Sequence, residues 1–265
     1  MSRSRYLDNF NSHSPLEGWD GYRFGSESCF DLLPEMEQII KISGAFKTEG
    51  LTLVTPIAGP GQDLKVMKVV ETALEMGWGE IVINDWGILD QAGKLNGPRV
   101  TAGRLLMRFR RGPGEFDLWD ELDETSKRYF AWGPLYDSGF LDFLGQMGVT
   151  RLELDLPRHW LRVPEVDGFA LSLHLEERLI TVSASCPWLY DGEADSWTDK
   201  GSCGQQCRTG KDITMTNTKL DQPLILRGKA VLEKVQEGVA LEKLPANVDR
   251  VIYSYQLPAG EGMAF

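Results

Sequence analysis

Residues 51–84, LTLVTPIAGPGQDLKVMKVVETALEMGWGEIVIN, decide the fold. The run 51–57 is rich in β-forming residues and is followed by the turn sequence Ala-Gly-Pro-Gly, which is typical of a strand that enters a loop. Residues 63–76 carry apolar side chains at helical spacing, and Gly77 suits the end of a helix. A second short apolar run follows at 80–84. A strand, a helix and a strand in this order predict parallel strands with a right-handed crossover.

The rest of the chain extends this pattern. We predict a helix at 138–147, whereas 112–134, rich in Gly, Pro, Asp and Trp, reads as an insertion and 1–28 as an irregular arm. Further strands are predicted at 99–103, 151–156, 169–174, 179–183, 224–228 and 251–255. The sequence therefore predicts an α/β fold with one TIM-barrel-like domain over 1–265. It allows an incomplete or irregular barrel and late antiparallel strands.

Composition and charge limit the function. The 265 residues carry a net charge of −11, which does not favour a nucleic-acid partner because the phosphate backbone needs a basic surface. The one concentrated basic run is 104–111. No apolar stretch is long enough to span a membrane, and the N-terminal residues lack the apolar core of a secretory signal. We therefore expect a cytoplasmic protein, whose thiols stay reduced.

The chain has four cysteines, at Cys29, Cys186, Cys203 and Cys207. Four thiolates are the usual ligands of an iron–sulfur cluster or of a tetrahedral zinc ion. Only Cys203 and Cys207 are spaced like half of a zinc site, while the other two come singly. This dispersed ligation favours a cluster, and a cysteine-bearing loop at 186–210 would wrap around it. The spacing alone leaves zinc and unlinked buried thiols open.

Strand ends supply the other candidates, because TIM-type barrels place their chemistry at the carboxyl ends of the strands. Asn84, Asp85 and Arg104 are predicted to contact a small anionic ligand, with the guanidinium paired to a ligand carboxylate. The alternative for Asp85 is a turn that caps a helix. The same rule selects a further group of strand-end residues: Thr55, Asp155, His174, and Ser185 with Cys186.

Some of these segments resemble a known family. The runs 80–89, EIVINDWGIL, and 100–106, VTAGRLL, are similar to a strand pair of the collagenase-like peptidases, the U32 family. The run 24–29, FGSESC, and the run 180–186, ITVSASC, with the later Cys-x3-Cys, resemble its UbiV-type branch. Proteins of that branch are accessory proteins of anaerobic ubiquinone biosynthesis. The resemblance covers residues 22–210.

The resemblance implies a TIM-barrel-like fold with a [4Fe–4S] cluster on Cys29, Cys186, Cys203 and Cys207. It also implies a role in an oxygen-independent hydroxylation or related redox step beside a paralogous U32 partner. A U32-type peptidase or hydrolase is one alternative, although no hydrolase motif is found, and a non-catalytic partner protein with a structural cluster or zinc is another. Whether the chain is itself an enzyme stays open. The substrate does not carry over, because 175–178, LEER, replaces the His-Gly element of the peptidase-labelled members.

Overall fold

The computed structural model describes most of the chain. The described residues are 3–8, 14–95, 99–107, 119–158, 162–189, 203–209, 212–218, 220, 222–236 and 241–254. Two sheets account for the strands in this part of the chain, a closed barrel and a smaller antiparallel sheet.

The barrel has eight strands, and every neighbouring pair is parallel. In chain order the strands are β1 (Ser4–Asp8), β2 (Gly21–Gly25), β3 (Leu51–Val54), β4 (Glu80–Ile83), β5 (Val100–Ala102), β6 (Val149–Asp155), β7 (Ala170–His174) and β12 (Val248–Ser254). The strand β12 lies between β7 and β1 and closes the cylinder. The predicted TIM-barrel-like α/β fold is confirmed.

Helices occupy four consecutive crossovers. They are α1 (Met36–Ala45), α2 (Asp63–Glu75), α3 (Trp86–Ala92), and the pair α4 (Glu124–Trp132) and α5 (Ser138–Gln146) between β5 and β6. The helix α2 buries one apolar stripe that includes Val66, Val70 and Ala73, as its sequence predicts. It ends before Gly77, whose φ of +77° is a left-handed conformation that glycine adopts easily.

The second sheet is inserted between the barrel strands β7 and β12. Its strands are β8 (Glu177–Val182), β9 (Ile213–Met215), β10 (Leu224–Arg227) and β11 (Ala230–Lys234), in the order β8-β11-β10-β9. All of its pairs are antiparallel. The barrel is therefore irregular, because its last crossover contains this sheet.

Three sequence predictions are corrected. Residues 1–28 are not an irregular arm, because they supply the barrel strands β1 and β2. The segment 112–134 contains the helix α4 within its described part. The runs predicted at 179–183 and 224–228 are strands, and they form part of the late antiparallel strands that the sequence allowed. The strand β8 that precedes Cys186 is therefore not a barrel strand.

The apolar core lies between the barrel wall and the helices. It is centred on fully buried residues such as Leu53, Ile81, Ile83, Val66 and Leu89. The inside of the barrel is different, because charged side chains from strands that are not neighbours bond to one another across it. No helix among the described residues is both long and apolar enough to cross a membrane.

Candidate functional site

The amino end of the barrel interior is closed by a polar cluster around Glu80. This carboxylate accepts hydrogen bonds from Thr52 at 3.2 Å, from Thr101, and from Arg250 on the far side of the barrel. Arg151 lies 3.4 Å from it and also pairs with Asp249 at the surface. We call Thr52, Glu80, Thr101, Arg151 and Arg250 the amino-end array. It fills this end of the barrel with protein groups.

A second ionic cluster lies farther along the barrel interior. Arg23, which is fully buried, donates to Asp8 at 2.8 Å and to Glu153 through both terminal nitrogens. Burial would raise the pKa values of these two carboxyls, but Arg23 and His174 outweigh it and hold both pKa values below the usual range. Both carboxylates are therefore ionised at neutral pH.

His174 ends β7 within this cluster. Its Nε2 atom lies 3.5 Å from Glu153 Oε2 and has no hydrogen-bond partner, although the residue is only 4% exposed. Buried polar atoms are normally paired. His174 is therefore a buried residue at this end of the barrel with a polar atom that makes no hydrogen bond to a described group.

Arg104 extends the ionic cluster to the barrel mouth. Its Nε atom donates to Glu27 at 2.8 and 3.0 Å, and its Nη1 donates to Asp155 at 2.6 Å and to the Glu177 carbonyl at 2.9 Å. Although burial opposes it, pairing with Asp155 and Glu27 raises the Arg104 pKa well above its ordinary value. The carboxyl-end array comprises these groups and those around Arg23, namely Asp8, Arg23, Glu27, Arg104, Glu153, Asp155 and His174.

Asn84 and Asp85 follow β4 and hold neighbouring backbone. Asn84 Nδ2 donates to the Thr55 carbonyl at 3.0 Å, and its Oδ1 accepts from the Leu105 amide at 3.3 Å. Its carboxamide lies over Gly103, where a Cβ would come within 2.1 Å of Asn84 Oδ1. Asp85 caps α3, because its Oδ1 accepts from the backbone amides of the first turn at 2.8 and 3.0 Å.

The predicted ligand contacts thus all have bonds within the protein. Asn84 is buried, Asp85 has the helix-capping role that its sequence also allowed, and Arg104 is committed to Glu27 and Asp155. The other strand-end residues vary: the Thr55 hydroxyl donates to the Val82 carbonyl, whereas the Ser185 backbone amide donates to Ser183 Oγ in a local turn. A ligand-binding role of Asn84, Asp85 and Arg104 stays a prediction.

The four cysteines are brought to one side of the mouth by separate segments. Cys29 and Cys186 are buried, and Cys203 and Cys207 are partly buried. Cys29 follows Gly25, whose φ of +102° and contact with the Val54 carbonyl leave no space for a Cβ. This glycine turns the chain out of β2. The predicted loop 186–210 is described only at 186–189 and 203–209.

Electrostatics place the thiols near one another. The pKa of Cys207 is raised to about 11, first by burial and then by Cys29, Cys186 and Cys203. Burial also raises the pKa of Cys29, with a contribution from Cys203. Charges act on one another in this way only at short range. Cys29, Cys186 and Cys203 are therefore all close enough to Cys207 to act on its pKa, although Cys29 is far away in the sequence.

Hydrogen bonds and close packing hold these segments together. Gln205 Nε2 donates to the Asp31 carbonyl at 2.8 Å, and Arg208 Nη2 donates to the Leu32 carbonyl at 3.4 Å. Gly228, in the turn between β10 and β11, packs so closely that a Cβ there would lie 3.4 Å from Cys207 Sγ. The cysteines are thus enclosed by the loop after β2, by 203–209 and by the second sheet.

The donor set fits a metal centre in kind and number, but it is not closed around a single ion. Four thiols are the ligands of iron–sulfur clusters and of some zinc sites. The described residues contain no group of three or more His, Cys, Asp and Glu side chains arranged to hold a metal ion. Sulfurs around one zinc ion lie about 3.8 Å apart, given Zn–S bonds of ~2.3 Å. Thiols at the separations of a single zinc site are thus not found among the described residues.

Sequence reasoning missed the partners that make the mouth ionic. Arg23 and Glu27 lie in the segment that was expected to be irregular, and Glu153 lies in a strand that was predicted for its alternation alone. The signal was present in RLELD, which places charged residues at alternate positions of its strand, but RYLD and GYRFG lack this alternation. Alternating charges in a barrel strand point either to solvent or to a polar interior.

Comparisons with known proteins add little to this geometry. No family model matches the sequence, and no curated protein matches it. Among solved structures, the U32 peptidase Mk0906 aligns over 97% of this chain and 94% of its own, with a TM-score of 0.43 and 10% sequence identity. A likeness at this level carries no argument about function. The barrel is therefore described from the chain's own strand order, and its chemistry from its own residues.

Proposed function

We propose that this chain is an iron–sulfur protein in which Cys29, Cys186, Cys203 and Cys207 hold one [4Fe–4S] cluster beside the barrel mouth. What supports the proposal is that the segment 203–209 bonds the backbone after Cys29 and that Cys29, Cys186 and Cys203 each act on the pKa of Cys207. The chain has no further cysteine. The convergence therefore uses the whole thiol content of the protein.

The charges around the thiols support the same proposal. Four thiolates on a cluster core leave a net negative group, and cations nearby would stabilise it. Arg208 lies within electrostatic range of Cys207, Cys29 and Cys203, and Lys229 within range of Cys29. Both cations come from segments that also enclose the thiols.

The chain's own residues would prepare the site. Thiolates, not thiols, are the ligands of metals, and the pKa values of Cys29 and Cys207 are raised. Loading would therefore release protons from these residues. When bound, the cluster would supply one-electron transfer, with a potential set by nearby hydrogen bonds, charge and solvent access.

We infer that the centre serves a redox step, and that a U32-type oxygen-independent hydroxylation beside a paralogous partner is the role that fits the sequence resemblance best. A small ligand would bind at the barrel mouth, near Asn84, Asp85 and Arg104. His174 supports this location, because its buried Nε2 lies 3.5 Å from Glu153 Oε2 without making a hydrogen bond to a described group. The amino end of the barrel, in contrast, is filled by its own ion pairs.

The test is anaerobic purification followed by iron, sulfide and zinc analysis, an absorbance spectrum and electron paramagnetic resonance. We expect about four irons and four sulfides per chain and a brown protein. The variant Ser185→Ala, next to a proposed ligand but without a role in holding the cluster, should load like the wild type. A colourless chain that binds stoichiometric zinc, or no metal after reconstitution with iron and sulfide, would overturn the proposal.

A further inference from the structure

We propose that Arg104 is a positioning residue for the metal centre, which fixes the Cys29 sulfur relative to the other three through Glu27. This inference rests on the proposed function, because it concerns how the most distant of the four ligands is held. It assigns to Arg104 a role in the protein's own architecture, where the sequence indicated a contact with a substrate.

Arg104 contacts the loop that carries Cys29. The Arg104 Nε and Nη2 atoms all donate to the Glu27 carboxylate, at distances from 2.5 to 3.0 Å. The two side chains are only 4% and 10% exposed. Charge-assisted bonds of this kind are strong and fix orientation as well as distance. We call this pairing of Arg104 Nε and Nη2 with the Glu27 carboxylate the fork. Glu27 lies two residues before Cys29, so the fork holds the backbone directly before the proposed ligand.

The same guanidinium also bonds to the barrel. Arg104 follows β5, and its Nη1 donates to Asp155 at the end of β6 and to the Glu177 carbonyl at the start of β8. These are rigid elements. One side chain thus connects the Cys29 loop to two barrel strands and to the strand that leads to Cys186.

Other hydrogen bonds also hold the Cys29 loop. Ser26 and Ser28 bond each other at 3.1 Å within the loop itself. Gln205 and Arg208 bond the backbone after Cys29, but they belong to the segment that carries Cys203 and Cys207. Those bonds tie one ligand segment to another. The fork from Arg104 to Glu27 ties the loop to the barrel, and so sets where this ligand lies.

Weakening the fork should weaken the bond between the Cys29 sulfur and the proposed cluster. Without the Cys29 thiolate, one iron of the proposed cluster would lack its protein ligand and would be the first to be lost. Outer groups that orient ligands commonly change metal affinity by 10–100-fold when they are removed. We expect Arg104→Gln and Glu27→Gln to raise the rate of iron loss to a chelator by about 10-fold or more, with a three-iron resonance signal after mild oxidation.

The experiment compares anaerobically reconstituted wild type, Arg104→Gln, Arg104→Lys and Glu27→Gln with the control Arg151→Gln. Arg151 belongs to the amino-end array, where it pairs with Glu80 and Asp249 far from the thiols. Iron and sulfide per chain, the chelation rate and the resonance spectrum are measured, and circular dichroism reports the fold. Arg104→Lys, which keeps the charge, should recover part of the wild-type stability of the centre.

The outcomes separate the two proposals. If wild type holds no cluster, the proposed function fails. If wild type loads but both Arg104→Gln and Glu27→Gln retain its iron, chelation rate and spectrum, the positioning role is overturned. Equal loss in Arg151→Gln and Arg104→Gln also overturns it, since the effect would then be general destabilisation. If Arg104→Gln does not fold, Glu27→Gln decides alone, and a wild-type centre in that variant contradicts the inference.

Discussion

The inside of the barrel and the cysteine side of its mouth are built in contrasting ways. In the barrel, Arg23 and Glu153 come from strands that lie opposite each other and bond directly. On the cysteine side, four free thiols lie near one another in segments with little regular structure. The buried charges of the two arrays therefore pair with other side chains of the barrel, whereas the thiols lie in loops outside its strands.

This difference predicts which part of the protein the proposed cluster would stabilise. Strand register fixes the ion pairs of the barrel, since a parallel ladder determines which side chains face inward. The cysteine segments are held by a few hydrogen bonds to backbone carbonyls and by the fork from Arg104 to Glu27. We therefore expect the barrel to fold without metal and the cysteine side to become rigid only with it.

The largest effect on stability should come from Arg23→Met. This change leaves Glu153 and Asp8 buried without their cation, which costs about 3–5 kcal/mol for a broken buried pair. Urea unfolding of the iron-free protein measures it. Arg162→Met is the control, because Arg162 is 78% exposed and pairs only loosely with Glu165. A loss below about 1 kcal/mol for Arg23→Met would show that the barrel does not depend on this pair.

The next effect is a loss of stability in acid. The pKa of Glu153 is lower in the folded protein than in the unfolded chain. Its contribution is therefore fully present above about pH 4.3, the ordinary glutamate pKa, and is lost as the pH falls through the folded value. The free energy of unfolding of the iron-free barrel should therefore decrease as the pH is lowered from about 5.

The matching variant is Glu153→Gln, which should be less stable at neutral pH and should lose stability less steeply in acid. The slopes of the unfolding free energy against pH are compared, not the absolute values, because the variant also weakens the pair with Arg23. Parallel slopes for wild type and variant would contradict the assigned role of Glu153.

A smaller effect is expected from Asp85→Ala. The carboxylate caps α3 through two backbone amides, and losing such a cap costs about 1 kcal/mol. Asp85→Asn should retain most of the stability, since Asn is also a good capping residue. Thermal unfolding measures both. If Asp85→Ala unfolds like wild type but loses affinity for a bound small molecule, the residue serves a ligand and not the helix.

The smallest effect on the barrel should come from Cys207→Ser. The raised pKa of Cys207 keeps its thiol neutral near pH 7, so serine introduces no buried charge, and we expect a change below about 1 kcal/mol in the iron-free protein. The same variant should lose the cluster. If Cys207→Ser loses its iron but keeps its stability, the barrel and the cysteine side respond separately, as we expect. If it loses both, the contrast between the two regions is contradicted.

Sequence reasoning found the barrel where its strands are apolar. Periodicity and turn residues located β3, β4 and α2 closely. The strand β2 was missed because GYRFG carries Arg23, which reads as exposed until Glu153 is known to face it. The charge of a side chain does not reveal whether its partner is water or a residue 130 positions away.

The candidate site was predictable in its residues but not in its contacts. The four cysteines could be selected from number and spacing, whereas their position around Cys207 depends on the second sheet, of which β11 was not predicted. Arg104 was selected as a residue at a strand end, but its partner Glu27 lies 77 positions away in sequence. Such long-range pairs follow from the closed barrel and not from any local pattern.

The central claim is that all four cysteines share one centre, and the distant Cys29 tests it most directly. The measurement is Mössbauer spectroscopy of Cys29→Ala reconstituted anaerobically with iron-57 and sulfide, beside wild type. We expect the four-iron spectrum in wild type, and its replacement in the variant by a three-iron species or by no bound iron. A Cys29→Ala protein with the iron content and spectrum of wild type would contradict the claim.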